Sequence, residues 1–262
     1  MADIEKILDN LNIPKQILDK SEQLLKALFG QSFDEFGGII ADRVKLRRFK
    51  NQIKIFSDAQ KILRENNINP QKVSLKVLAP LIDISSLEEE ETLQSKWSKL
   101  IAYVVGGNKD TVFQQNCINI LSKLTSEEAV LLEQLFKELL VKKDERYKRL
   151  VSQYEIRKKY SRSETNLSPQ LEQINPIDCP IYINRYVKEN QLEKASFLFN
   201  ITNLVSLGIL QWHTNVDVDA EKQDSEPESR KVDVNVYVSN YSQFVFTAVG
   251  EKFILITQSC DD

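Results

Sequence analysis

The chain has 262 residues, 42% of them apolar and 28% charged, with a formal net charge of -3. That length allows one large domain or two small ones, and the composition is that of an ordinary globular protein. The near-neutral charge excludes a global field that would draw the protein to nucleic acid or to an anionic membrane.

Seven glycines and seven prolines are few for this length. With abundant Leu, Ile, Lys and Glu, they favour long helices. Cys117, Cys179 and Cys260 lie far apart and form neither a CxxC pair nor a disulfide framework, which fits a reducing compartment. The start MADIEKILDN lacks the pattern of a signal peptide. Apolar runs such as LIAYVV fall far short of the roughly 20 residues that span a bilayer. The expected location is the cytoplasm.

In chain order, residues 3–29 carry Ile4, Ile7, Leu8 and Leu11, then Leu24, Leu25 and Leu28, at spacings of three and four. This is an amphipathic helical region broken near Pro14. From about Ile39 to Asn66 one long helix is expected, with Leu46, Phe49, Ile53, Phe56 and Leu63 as an apolar seam. Beside it, Arg43, Arg47, Lys50 and Lys54 form a basic stripe at spacings of four, three and four. NNINP at 66–70 stops that helix.

Residues 75–105 hold the densest set of mutually consistent signals. Leu75, Leu78, Leu81 and Ile82 give one face of a short helix that Pro80 should bend. Ser85-x-x-Glu88 and Ser86-x-x-Glu89 fit the capping-box pattern, and Glu88 to Glu91 would then match the positive end of a helix macrodipole. Leu93, Trp97, Leu100, Ile101 and Val104 form the buried face of that second helix, which stops at Gly106-Gly107. A further short helix is expected over Phe113 to Leu124. Thr125-x-x-Glu128 then opens a strong helix through Leu131, Leu132, Leu135, Phe136, Leu139 and Leu140. Residues 142–164 carry nine Lys or Arg against four acids, a local balance of +5. They predict an exposed helical extension that ends in a linker at SETNLSPQ.

Beyond Pro176 the texture changes. Leu192 to Leu207 is helical by pattern, ILQWHTNVDV and VDVNVYV alternate as the strands of a hairpin, SQFVFT is a third strand, and AVGEKFILITQ closes as a helix. The expected fold is mainly α: an N-terminal multi-helix bundle followed by a smaller α+β, winged-helix-like C-terminal domain. The expected regions are 1–38, an amphipathic helical segment; 39–165, a helical core with its basic extension; and 166–262, the winged-helix-like domain with an acidic hairpin loop.

Little here points to chemistry. His213 is the one histidine, set in a strand beside Trp212 with no metal-ligand spacing around it, and a structural role is expected. Gly106-Gly107-Asn108-Lys109 lacks the spacing of a phosphate loop. Four consecutive glutamates on a helix point in different directions, so Glu88 to Glu91 serve capping better than catalysis. No catalytic, cofactor-binding or metal residue is nominated, and no cofactor is expected. The candidate binding surface is Arg43, Arg47, Lys50 and Lys54, weighed against a solvated face or an internal partner for Glu88 to Glu91. Residues 171–262 carry seven basic and fourteen acidic side chains. A winged helix of that charge opposes contact with phosphates, and its presumed recognition helix offers no arginine for guanine.

LRRFKNQIKIFSDAQKIL, VSLKVLAPLIDISSLEEEETLQSKWSKLIA and INILSKLTSEEAVLLEQL together resemble the Abi-alpha family, the abortive infection alpha proteins of bacteria. The family's basic-aromatic helix is similar to Arg47 to Asn51, and its apolar "PL" helix to Leu75 to Leu81. Its Ser-x-Glu-Glu opening and Trp helix are similar to Ser85 to Glu91 and Trp97 to Ala102. Leu124 to Glu128 matches its next helix start. The family's tail signature is similar to Asn203 to Leu210 and Phe244 to Phe253. The chain departs from it at Ser206, where the family has a basic residue, and in the long acidic hairpin loop.

The resemblance implies a role in phage defence and supplies no catalytic residues. Joined to the missing catalytic set, it gives the expectation of a non-enzymatic, abortive-infection type protein that binds a phage or host macromolecule, with protein favoured over nucleic acid. Alternatives are a nucleic-acid-binding regulator using the basic stripe and the 142–162 helix, and a membrane-surface effector acting through the N-terminal amphipathic helix. Homo-oligomerisation stays open.

Overall fold

The computed structural model describes residues 23, 27–28, 46–107, 110–160, 169–222, 232–239 and 242–258, with the backbone alone for 46–50, 157, 160, 215–222 and 232–239. It is mainly helical. The described residues form eight α-helices: α1 Leu46–Glu65, α2 Leu75–Ser85, α3 Glu91–Val105, α4 Thr111–Leu121, α5 Ser126–Tyr160, α6 Ile183–Glu189, α7 Lys194–Ser206 and α8 Ala248–Thr257. The strands are β1 Ile181–Tyr182, β2 Leu210–Trp212, β3 Asn215–Lys222, β4 Val232–Ser239 and β5 Gln243–Phe246. The chain divides into two compact units, one of residues 1–133 and 253–262 and one of residues 134–252.

The first unit is built around α3. Leu93, Trp97, Leu100, Ile101 and Val104 are all buried, as the pattern predicts, and Trp97 is among the largest fully buried side chains. α1 packs against α3, and α2 packs against α1, α3 and α4. The α1 seam is shifted from the expected one. Gln52, Ile55, Phe56, Ala59 and Leu63 are buried, while Ile53 is only half-buried. The rest of the N-terminal region and Arg43 lie outside the described residues, while Gln23, Ala27 and Leu28 are helical and Leu28 is fully buried.

The double-serine capping expectation is overturned. α3 starts at Glu91, with Glu90 as its N-cap and no side-chain cap bond. Ser85 and Ser86 instead end α2, where their hydroxyls donate back to the carbonyls of Ile82 at 3.4 Å and Asp83 at 2.6 Å. A serine can satisfy either end of a helix, and spacing alone cannot tell which. The second expected box is present. Thr125 Oγ1 accepts from the Glu128 N–H at 3.2 Å, and Glu128 Oε2 accepts from the Thr125 N–H at 3.0 Å. α5 then runs 35 residues through the charged extension. Leu140, expected on its buried face, is 48% exposed.

The second unit carries an antiparallel three-stranded sheet in the order β1-β5-β2. Phe244 of the central strand pairs with Ile181 on one side and Trp212 on the other. All four β5 residues are buried, so it lacks the alternation of a strand with one wet face. Tyr186 stacks on Phe197 at 5.4 Å between ring centroids, Phe197 meets Phe244 at 6.3 Å, and Phe136 meets Phe246 edge-on at 6.2 Å. The expected single strand ILQWHTNVDV is two strands. His213 and Thr214 interrupt it, after which β3 leaves the three-stranded sheet and pairs with β4 alone. Strand β1 and helix α6 are additions that no expectation covered.

The tail signature has a steric explanation. Gly208 ends α7 at φ +74°, and Thr247 Oγ1 donates to its carbonyl at 2.6 Å. The same hydroxyl accepts the Gly250 N–H at 2.9 Å, capping α8. A Cβ on Gly250 would stand 2.0 Å from the Ile209 carbonyl oxygen. Replacing a helical Gly by Ala ordinarily stabilises by about 1 kcal/mol. Here Gly250→Ala reverses that sign and destabilises the protein in urea unfolding, while Gly106→Ala, at a helix end, does so far less.

Candidate functional site

Of the basic stripe, Arg47, Lys50 and Lys54 lie on α1, and Lys54 faces the start of α3. Arg47 and Lys50 are in the first turns of the helix, where the structure describes backbone only, and Arg43 precedes the described part. At Lys54 the side chain is described. Its Nζ donates to Glu91 Oε1 at 2.8 Å, and Asn51, one turn earlier, reaches the Ser86 carbonyl at 3.5 Å. The hydrogen bond and charge of Lys54 hold the Glu91 carboxyl below the usual carboxylate range. Glu91 is 88% exposed, so solvent screens the pair. Of the two bland readings of the stripe, the internal partner is the one that Lys54 adopts.

Two lysines that sequence reasoning passed over are placed more tightly. Lys96 of α3 is 1% exposed, and its Nζ donates to Glu133 Oε1 at 2.5 Å and to the Thr257 carbonyl at 3.3 Å. One turn on, Lys99 Nζ donates to the Gln258 carbonyl at 2.7 Å. Both cations therefore sit on the carbonyl end of α8, where the helix dipole is negative. In the second unit, Lys143 of α5 pairs with Glu251. The signal was available, because Lys96 stands one helical turn from both Leu93 and Leu100 and Lys143 one turn after Leu139. Each interrupts a buried stripe at an interior position.

A recess of about 860 Å³ in the first unit is lined by Ile62 and Glu65 of α1, Lys99 and Tyr103 of α3, and Leu255 of α8. Its lining mixes apolar and polar groups. His213 is half-buried, and its backbone N–H donates to the Gln243 carbonyl at 3.1 Å, extending the β2–β5 ladder. Cys117 and Cys179 are buried and form no disulfide with each other, and burial pushes the Cys179 thiol up. Cys260 lies outside the described residues. Among the described residues, no group of three or more His, Cys, Asp or Glu is placed to hold a metal ion, and no helix is long and apolar enough to cross a membrane.

The family model for abortive infection alpha matches residues 41–257. The chain belongs to the abortive infection alpha family. The match runs from the basic stripe to the end of α8 and takes in every motif on which the sequence resemblance rests. Membership points to a role in phage defence. No curated protein and no solved structure matches the chain.

The charge pairs differ in what they hold. Glu133→Ala leaves a buried ammonium without its carboxylate and should cost about 3 kcal/mol. Lys96→Met removes the charge, keeps the length, and should cost less. Lys54→Ala should leave the midpoint unchanged in the same urea titration, because its partner is exposed.

Proposed function

We propose that the protein is a non-enzymatic, abortive-infection type defence protein that acts in the cytoplasm by binding a phage or host macromolecule, a protein rather than a nucleic acid. The observation that carries this reading is the family match over residues 41–257. The charge pattern supports the choice of partner. Lys54 is engaged by Glu91, Lys142 by Glu138, Lys143 by Glu251, Arg146 by Asp178 and Lys148 by Asp144. A polyanion would have to compete for cations that already have carboxylates beside them.

The second unit is read as a winged-helix-like module. In support, α6 and α7 lie between β1 and β2, the β3–β4 hairpin lies between β2 and β5, and the sheet order is β1-β5-β2. α7 would occupy the position of a recognition helix. Its outer face carries Ala195, Phe199, Thr202 and Ser206, all exposed, with Phe199 at 74%. An aromatic side chain among small neutral residues is the composition of a protein contact. It lacks the cations that phosphates require.

Phage plating on cells expressing the chain tests the proposal. Plating should fall for at least some members of a broad phage panel, and Trp97→Ala should abolish the effect through loss of the fold, at about 3–5 kcal/mol. Phe199→Ser should weaken defence without lowering stability, whereas joint charge reversal at Arg43, Arg47, Lys50 and Lys54 should leave it largely intact. Unchanged plating across the panel, from cells that accumulate folded protein, overturns the reading. Loss of defence with the charge reversal alone favours the nucleic-acid alternative.

A further inference from the structure

We propose that residues 1–22 are an intramolecular strap, whose apolar face closes over the recess between α1, α3 and the end of α8. The recess holds about 860 Å³. Its walls carry Ile62, Tyr103 and Ile256, all half-buried, and its rim carries Ile68 at 38% exposure and Leu255 at 53%. Large apolar side chains gathered around one depression mark a place where another apolar surface sits.

The chain itself is anchored next to that recess. Gln23, Ala27 and Leu28 are helical, and Leu28 is fully buried. Ala27 and Leu28 line a smaller recess of about 510 Å³ with Leu63 and Arg64 near the end of α1, and Ile68 belongs to both recesses. Residues 1–22 lie outside the described residues, and their sequence supplies the matching surface. Ile4, Ile7, Leu8 and Leu11 recur at helical spacing, and Pro14 allows a turn between them and the anchor. Residues 12–22 reach about 16 Å as a helix and about 36 Å when extended. Either length carries the apolar stripe from the Leu28 anchor to a recess that shares a side chain with it.

Tethering selects this occupant over a second copy. A segment held by a short linker acts at an effective concentration of roughly millimolar, so any other chain enters the recess only by displacing the strap. The recess residues from Ile62 to Ile256 fall inside the family match of 41–257, and the strap precedes it. It therefore covers a surface of the family's fold from outside the matched region. In this arrangement Lys6 and Asn10, opposite Leu8 on the helix, face water, and a bilayer meets no exposed apolar stripe.

Thiol labelling at the rim tests the strap. In a Cys260→Ser background Cys117 and Cys179 are buried, so Leu255→Cys supplies the reactive thiol. A small maleimide should label it at least tenfold more slowly in the full chain than in a chain lacking residues 1–22. Ile7→Asp with Leu11→Asp should restore rapid labelling in the full chain, whereas Lys6→Asp with Asn10→Asp, on the other face, should not. These pairs decide the matter if the urea midpoint shows that the shortened chain is unfolded. Equal rates with and without residues 1–22, or equal rates for the two pairs, overturn the proposal. So does protection that grows with protein concentration, because a second copy would then be the cover.

Discussion

The first unit depends on the burial of α3 around most of its circumference. Ten of its fifteen residues are buried, among them Gln94, Lys96 and Ser98. A helix in that position cannot leave polar groups unmatched without a cost of a few kcal/mol each. The arrangement around it follows. Ser98 Oγ turns back to the Gln94 carbonyl, and Gln94 Nε2 reaches the Glu88 carbonyl, which fixes the entry of the chain into α3. Lys96 takes Glu133 from α5 and a carbonyl from the end of α8. Trp97 Nε1 and Gln94 Oε1 find no partner among the described residues. Two unmatched buried polar atoms of the first unit thus lie one turn apart on the helix that carries Trp97.

The same constraint explains which parts of the fold were legible. Periodicity reported α3, α4 and the start of α5 well, because each has a clear apolar face and a recognisable beginning or end. The Thr125-Glu128 box closes reciprocally, as its spacing requires. The Ser85-Ser86 box failed because spacing does not reveal whether a serine hydroxyl turns forward to an N–H or backward to a carbonyl, and here it turns backward. Ile53 and Gln52 exchanged places for a related reason. A heptad count treats α1 as the partner of one facing helix, whereas α1 meets both α2 and α3, so the buried sector rotates toward residue 52. Lys96 and Lys143 were hidden by their type, since a charged residue at an interior position is read as solvated unless its stripe is followed through it.

In the second unit, short elements were the limit. β1 has two residues and α6 seven, too few for any periodicity to register. The break at His213-Thr214 was masked because alternation continues across it with the same parity. Valine and tryptophan alternate with polar residues on both sides, yet the two halves pair in different sheets. The tail motif, by contrast, was legible as a pattern and opaque as a cause. Its glycines become intelligible only when Gly250 is seen pressed against the Ile209 carbonyl and Gly208 is seen in the left-handed region. Thr247 joins the two, accepting from one and donating to the carbonyl of the other.

The distribution of charge bears on what a partner could be. A stretch with a local balance of +5 looks like a ligand for phosphate when counted along the sequence. In the fold, four of its basic side chains, Lys142, Lys143, Arg146 and Lys148, each lie beside a carboxylate. The exposed pairs among them, Arg146–Asp178 and Lys148–Asp144, contribute little to stability. They nonetheless lower the local potential that a polyanion would feel, because an ion pair presents a dipole where an isolated lysine presents a charge. Lys96, Lys99 and Lys143 go further, since they serve as internal fastenings for a carboxylate of α8 or for carbonyls at and just beyond its C-terminal end. Among the described residues, the uncharged features left to solvent include Phe199 on the outer face of α7 and the mixed recess beside Tyr103 and Leu255. Surfaces of that kind discriminate by fit and by desolvation. On the proposed reading, recognition in phage defence would therefore rest on protein contacts, with salt dependence much shallower than counterion release from a nucleic acid would give.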